Sequence, residues 1–237
     1  MKVDSDALIN ILKEVDALSI REITAIPLDG GLDFHAMDPS CTSIVKAVAK
    51  PAAFPDGCDM ESATSLSIPF LLGALQKGKM CDMEVKGGQI VVKYDKSKRT
   101  HRLIDPEEKA RPVPSLEGWD TCVVMSDDIL TTLKQSCFTD IKSDNGGVMA
   151  TMFDAGLRFS IRSDTESAEM VVDGTAVLEE GEQTAVFSTA VLLPIVKSLP
   201  RDVMITISMK TNAPMVLSID EDTYSMKIFI APLIIED

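Results

Sequence analysis

The sequence predicts an α+β chain built from two copies of one domain, each running helix, strands, helix, strands. An internal echo carries this first. Asp29-Gly30-Gly31-Leu32-Asp33-Phe34 returns as Asp154-Ala155-Gly156-Leu157-Arg158-Phe159, and Ser5-Asp6-Ala7-Leu8 with Leu12-Lys13 returns as Ser126-Asp127-Asp128-Ile129 with Leu133-Lys134. Ile104-Asp105-Pro106 has its counterpart in Ile230-Ala231-Pro232. Each match alone is weak, but three in one order at nearly constant spacing indicate duplication. The second observation is a break between the copies. From Asp105 to Gly118 the apolar periodicity stops, and three prolines amid charged residues hold the backbone extended. The expected limits are therefore a first domain over 1–104, a linker over 105–119 and a second domain over 120–237.

The elements follow from pattern and punctuation. Asp6 to about Val15 reads as a helix capped by Ser5 or Asp6, with Leu8, Ile11, Leu12 and Val15 as its apolar stripe and Lys13 and Glu14 off it. Glu22–Leu28 and Leu32–Ala36 read as a hairpin around Asp29-Gly30-Gly31, and Ser43–Val48 as a strand after the corner at Asp38-Pro39. Ser67 caps a short helix with Pro69 in its first turn and Phe70, Leu71, Ala74 and Leu75 on its apolar side. Cys81–Val85, Gln89–Tyr94 and Arg99–Ile104 complete the first copy. In the second, Thr121–Met125 is a strand, and Ser126 caps a helix to about Phe138 with Ile129, Leu133 and Cys137 inward. Val148–Phe153 and Leu157–Arg162 form a hairpin, followed by strands at Ala168–Val172 and Ala185–Ser188. A helix around Pro194–Leu199 starts close to its proline, which is costly in a helix interior. Val203–Met209, Met215–Ile219 and Met226–Ile230 are the last strands.

At 45% hydrophobic and 25% charged residues the chain has material for two cores, and with aromatics scarce these rest on Leu, Ile, Val and Met. The net charge of −14 argues against a free-standing DNA binder but not against a protein that gathers its basic residues on one face. Five cysteines without a Cys-x-x-Cys pair, and no secretory leader, point to a reducing intracellular compartment. No apolar run approaches membrane-spanning length, and Ala190–Val196 is short and interrupted by Pro194, so a soluble protein is expected.

No catalytic constellation emerges. There is no Gly-x-Ser-x-Gly elbow and no phosphate-binding loop, and His35 and His101 lack partners at metal-ligand spacing. The glycine pairs at 30–31, 87–88 and 146–147 read as hairpin turns, and Asp220-Glu221-Asp222 as an exposed acidic loop tip. Neither an enzymatic activity nor a cofactor or metal is expected. The basic residues are more telling. Lys13, Lys134 and Lys197 lie on predicted helices, Lys77 and Lys79 just past one, and Arg201 beyond another. Any one of them is ordinary helix solvation, but their recurrence on equivalent elements suggests a shared electropositive face.

Ala36-Met37-Asp38-Pro39-Ser40 with Ile44-Val45, together with Ile230-Ala231-Pro232 and the acidic end Glu236-Asp237, resembles the PCNA-type DNA sliding clamps of archaea and eukaryotes. Leu103-Ile104-Asp105-Pro106 leading into a proline-rich linker looks like the archaeal branch. The resemblance implies a DNA-clamp fold in which each domain sets antiparallel sheet outside and two helices inside. Three copies would form a head-to-tail homotrimeric ring around duplex DNA without reading its bases, with Lys13, Lys77, Lys79, Lys134, Lys197 and Arg201 facing the phosphates. It implies a processivity factor with no chemistry of its own. DNA polymerase, clamp loader, flap nuclease and ligase would insert a short apolar-aromatic peptide into a pocket formed by Met37, Cys41, Ile44, Val113, Leu116, Pro214, Phe229, Ala231 and Pro232. Subunits would join by pairing the strand edge Arg99–Ile104, with Arg99, His101, Arg102 and Ile104, to the edge Ser167–Val172, with Glu169, Met170 and Val172. Arg99 and Arg102 would there oppose Glu166, Glu169 and Asp173. Localisation would be cytoplasm or nucleoid in an archaeon and nucleus in a eukaryote. Departures from the pattern are a first strand cut to Met1-Lys2-Val3, Gly73 and Gln76 at helix positions usually basic, and an extra apolar residue in Leu233-Ile234-Ile235. The alternatives are one subunit of a heterotrimeric or checkpoint-type clamp and, from another class, an acidic two-domain enzyme.

Overall fold

The computed structural model describes residues 1–103, 113–134, 146–179 and 181–234. Ile104 to Pro112, the predicted helix end with Cys137 and Phe138, and the tail from Ile235 lie outside the described residues. Two compact units result: Met1–Val113 with Asp220–Lys227, and Pro114–Ile219 with Ile228–Asp237.

The first unit opens with β1 (Lys2–Asp4) and α1 (Ser5–Ala17). The cap is Asp4, whose carboxylate accepts from the Asp6 N–H at 2.9 Å, rather than the expected Ser5 or Asp6. Glu14 also departs from expectation. It stands three residues after Ile11 and seven after Ala7, hence on their face, and is fully buried. Strands β2 (Glu22–Leu28), β3 (Gly31–Met37) and β4 (Ser43–Ala49) follow, then β5 (Thr64–Ser67), which sequence reading passed over. Helix α2 (Ile68–Ala74) is capped as expected, with the Ser67 hydroxyl accepting from Phe70 N–H. Strands β6 (Met80–Lys86), β7 (Gln89–Tyr94) and β8 (Ser97–Arg102) complete the unit's second sheet. The orders are β4-β3-β2-β5 and β1-β6-β7-β8, with antiparallel neighbours throughout.

The second unit repeats this plan. After β9 (Asp120–Met125) and α3 (Ser126–Leu133) come β10 (Gly147–Phe153), β11 (Gly156–Arg162), β12 (Ser167–Asp173) and the unpredicted β13 (Thr175–Val177). β14 (Gln183–Ser188), α4 (Thr189–Ser198), β15 (Met204–Met209) and β16 (Met215–Asp220) follow, and β17 (Tyr224–Ile230) divides between the units, Tyr224–Lys227 counting with the first. The order β12-β11-β10-β14 reproduces β4-β3-β2-β5, and β9-β15-β16-β17 reproduces β1-β6-β7-β8.

The second unit departs from expectation at three places. Ser126 does not cap α3 through its side chain. Its buried hydroxyl accepts from Val203 N–H at 3.3 Å instead. Pro194 lies inside α4, five residues after its start, and not at its beginning. The N–H it removes would have served the carbonyl of Ala190, an exposed residue that water can reach, which lowers the usual penalty. Gly146-Gly147 opens β10 rather than turning a described hairpin, whereas Gly87 and Gly88, with φ of 59° and 72°, do turn β6 into β7.

The echoed residues occupy equivalent places. Gly31 and Gly156 each open the second strand of a hairpin. A Cβ on Gly31 would stand 2.3 Å from the Ala49 carbonyl oxygen, and one on Gly156 2.1 Å from that of Val172. Only a glycine lets the neighbouring strand approach so closely. The Ser-Asp pairs also match. Ser5 N–H donates to Lys79 O and Ser126 N–H to Val203 O. The Asp6 carboxylate accepts from Gly78 N–H at 3.0 Å, and that of Asp127 from Asp202 N–H at 2.9 Å.

Candidate functional site

Three sets of residues bear on function: a basic set near the helices, two strand edges of opposite charge, and the corner after β3.

The basic set is exposed. On α1, Lys13 follows the buried Leu12; at the end of α3, Lys134 follows the buried Leu133; Lys197 lies in the last turn of α4. Lys77 and Lys79 follow α2, and Lys79 Nζ donates to Gln76 Oε1 at 2.8 Å. Helix α2 itself carries no charge. Arg201 differs from the rest, because its guanidinium is bound to the Asp127 carboxylate. Hydrogen bonds from Arg201 and from Asp202 N–H hold the Asp127 carboxyl below the usual carboxylate range.

Strands β8 and β12 each end a sheet order and so present one unpaired edge. β8 is basic and β12 acidic. Alternation splits β8 into two faces. Arg99 pairs with Val92, and His101 with Ile90, both buried. These two side chains therefore lie on the core side, where the His101 ring stacks on Phe70 of α2 with centroids 4.9 Å apart. The Arg99 guanidinium lies 3.2 Å from where a Gly73 Cβ would be, so the glycine in α2 makes room for it. Lys98 and Arg102 lie on the other face, Lys98 beside Lys93 and Arg102 beside Gln89. On β12, Met170 and Val172 pair with the buried Phe159 and Leu157. Val172 is itself buried in its own unit, while Glu169, Val171 and Asp173 are exposed on the opposite face. Glu169 is held by Arg158 at 3.4 Å, and Arg158 lies over the Phe153 ring. Ile104 lies outside the described residues.

The corner after β3 is built on Asp38. Its carboxylate accepts from the Ser40 hydroxyl and N–H, from the Thr42 hydroxyl at 3.0 Å and from Ser43 N–H at 2.5 Å. Burial alone would raise its pKa, but these hydrogen bonds outweigh it and hold Asp38 below the ordinary carboxylate value. The turn places Cys41 at φ 60°, exposed, between half-buried Met37 and Ile44. Val113 is half-buried in the same unit. In the second unit Leu116, Pro214, Ala231 and Pro232 are half-buried, while Phe229 is buried.

Other groups are occupied. The acidic tip is met by Lys50, whose Nζ donates to Asp220 at 2.6 Å and to the Glu221 carbonyl at 2.5 Å. His35 Nε2 lies 2.8 Å from Asp33 Oδ2. Burial raises the Cys81 thiol pKa and pushes that of Cys122 up to about 11, which keeps both protonated and poorly nucleophilic. Among the described residues no cluster of His, Cys, Asp and Glu is suited to a metal, and no helix is long and apolar enough to cross a membrane. Sequence reading missed Lys98, although its alternation with Arg99 was available, and the Asp38 network, whose signal is Asp-Pro-Ser followed by Thr and Ser.

No family model matches the chain, and no curated protein matches it by sequence. Solved structures do match it by shape. The A. fulgidus PCNA bound to the C-terminal region of FEN-1 superposes with a TM-score of 0.87 at 19% identity, covering 100% of this chain and 99% of that one. The Thermococcus kodakaraensis PCNA gives 0.84 at 16% identity, with 98% and 99% covered. The Proliferating Cellular Nuclear Antigen of Entamoeba histolytica gives 0.84 at 17% identity, with 98% of each chain covered. Over its whole length, the chain has the fold of the PCNA-type sliding clamps.

Proposed function

We propose that this protein is a homotrimeric sliding clamp that encircles duplex DNA and tethers DNA polymerase and other replication and repair enzymes to it. The observation that carries the reading is the whole-chain likeness to PCNA structures, joined to the opposite charges of the β8 and β12 edges. A basic edge on one copy and an acidic edge on the next make a head-to-tail contact that a single kind of chain can supply at every joint. In the ring the exposed Lys13, Lys77, Lys79, Lys134 and Lys197 face the phosphates. Contacts this sparse hold DNA weakly, and a closed ring needs no more, because topology retains it. Arg201 contributes less, its charge being offset by Asp127.

The partner site is proposed to draw on Met37, Cys41, Ile44 and Val113 of the first unit and on Leu116, Pro214, Phe229, Ala231 and Pro232 of the second. The A. fulgidus relative is bound to a FEN-1 C-terminal region. By extension a flap nuclease peptide, and those of polymerase, loader and ligase, would dock here through apolar-aromatic side chains. The working limits are domains over 1–104 and 120–237 joined by 105–119, in a reducing intracellular compartment. Light scattering across a dilution series tests the assembly. A mass of three chains that persists on dilution is expected, and a single chain at every concentration would overturn the homotrimer.

A further inference from the structure

The charges that β8 and β12 turn away from their cores match in spacing, and this assigns their roles. On β8, Lys98 and Arg102 are four residues apart on the face away from the core, and among the described residues neither makes an ion pair. On β12, Glu169 and Asp173 are likewise four apart on the face away from the core. Asp173 makes no ion pair among the described residues, and Glu169 pairs with Arg158 at 3.4 Å, which leaves Asp173 the stronger of the two charges. The core-side faces are different. β8 there presents Arg99 and His101, engaged with Gly73 and Phe70 of α2, and β12 presents Ala168, Met170 and Val172, which have no charge.

When one sheet continues into another with helices on a common side, residues that meet across the new pairing share a face. Resting on the clamp reading above, we infer that Lys98 and Arg102 of one copy recognise Glu169 and Asp173 of the next, with equal spacing on both edges setting the register. Arg99 does not take part in this exchange. It stays on the helix side, seated over Gly73, and meets an apolar strand face. The occupant of each edge is thus a second copy of this chain, and the joint's salt sensitivity comes from the outward row. Exposed pairs of this kind contribute modestly each and act chiefly on specificity and register.

The test is a charge swap read by solution mass. Lys98→Glu with Arg102→Glu is expected to weaken assembly roughly tenfold or more, and Glu169→Lys with Asp173→Lys to do the same. All four changes in one chain are expected to restore it. Arg99→Glu is expected to gain nothing from the β12 changes. Circular dichroism confirms that each variant folds, and Lys98→Gln with Arg102→Gln provides a milder probe whose assembly depends less on salt. A native trimer unaffected by reversal at Lys98 and Arg102, folded double variants without rescue in the fourfold chain, or rescue of Arg99→Glu by the β12 changes would each overturn the assignment while leaving the clamp reading standing. A native protein that is monomeric throughout would overturn both.

Discussion

The two units solve one backbone problem in the same way and use different chemistry around it. Each ties the start of its first helix to the segment before the sheet's second strand by a Ser-Asp pair. The residue meeting the aspartate is Gly78 in one unit, at φ 72°, and Asp202 in the other, at φ 56°. The corners after the second hairpin strand diverge further. In the first unit Asp38 gathers Ser40, Thr42 and Ser43 on a carboxylate. In the second, the Ser163 hydroxyl accepts from the N–H groups of Thr165 and Glu166. Duplication therefore preserved what geometry demands and left the chemistry around it free to diverge, a carboxylate at one corner and a neutral hydroxyl at the other.

Substitutions at the shared positions should cost most. Gly156→Ala forces a Cβ against two backbone groups at φ 143°, and a loss of about 3 kcal/mol is expected from overpacking and strain together. Gly31→Ala, with the clash but an unstrained φ, is expected to cost about 2 kcal/mol. Urea unfolding of the two variants checks the order, and equal or negligible losses would break the parallel.

The corners separate by pH. Because Asp38 has a depressed pKa when folded, its contribution is present above the unfolded carboxylate value and is lost as pH falls through the folded one. Asp38→Ala is expected to cost about 2 kcal/mol at neutral pH, in the range of hydrogen bonds to a charged group, with the difference from the native chain shrinking in acid. Amide exchange at Ser43 should quicken in acid relative to Glu166, whose acceptor is a neutral hydroxyl.

Gly78→Asp and Asp202→Gly exchange the latch residues. A loss of about 1 kcal/mol is expected for the first, from a side chain placed in the left-handed region. The second should be neutral or slightly stabilising, and thermal unfolding reads both. Smallest are the basic positions. Lys13→Ala or Lys197→Ala should lower the salt slope of DNA binding by roughly 0.9 for each phosphate no longer neutralised, and Arg201→Ala by less, because Asp127 already offsets its charge.

Much of the plan was legible because it rests on local rules. Repeated glycines, alternating apolar residues and the Ser67-Ile68-Pro69 start specify turns, strands and a helix without reference to the rest of the chain. What sequence reading missed depends on distant neighbours. β5 and β13 are short and become strands only through pairing with β2 and β9. Glu14 resembles a surface residue until its helical face is counted. Asp4 rather than Ser5 caps α1, while the Ser5 hydroxyl turns to Tyr94 OH, 89 positions away. At the edges, the charges of Arg99 and Arg102 were evident, but three-residue spacing on a strand sets them on opposite faces, and only the pairing with Val92 and Gln89 shows which is which.

The most direct test of the central claim is retention on DNA by topology. The protein is incubated with linear duplex carrying biotin at both ends, streptavidin is then added to block the ends, and the complex is washed in high salt. An encircling clamp should remain on end-blocked DNA and run off identical DNA left open. Equal loss from both, or equal retention on both, would mean that any DNA binding is by contact alone, and would contradict the account.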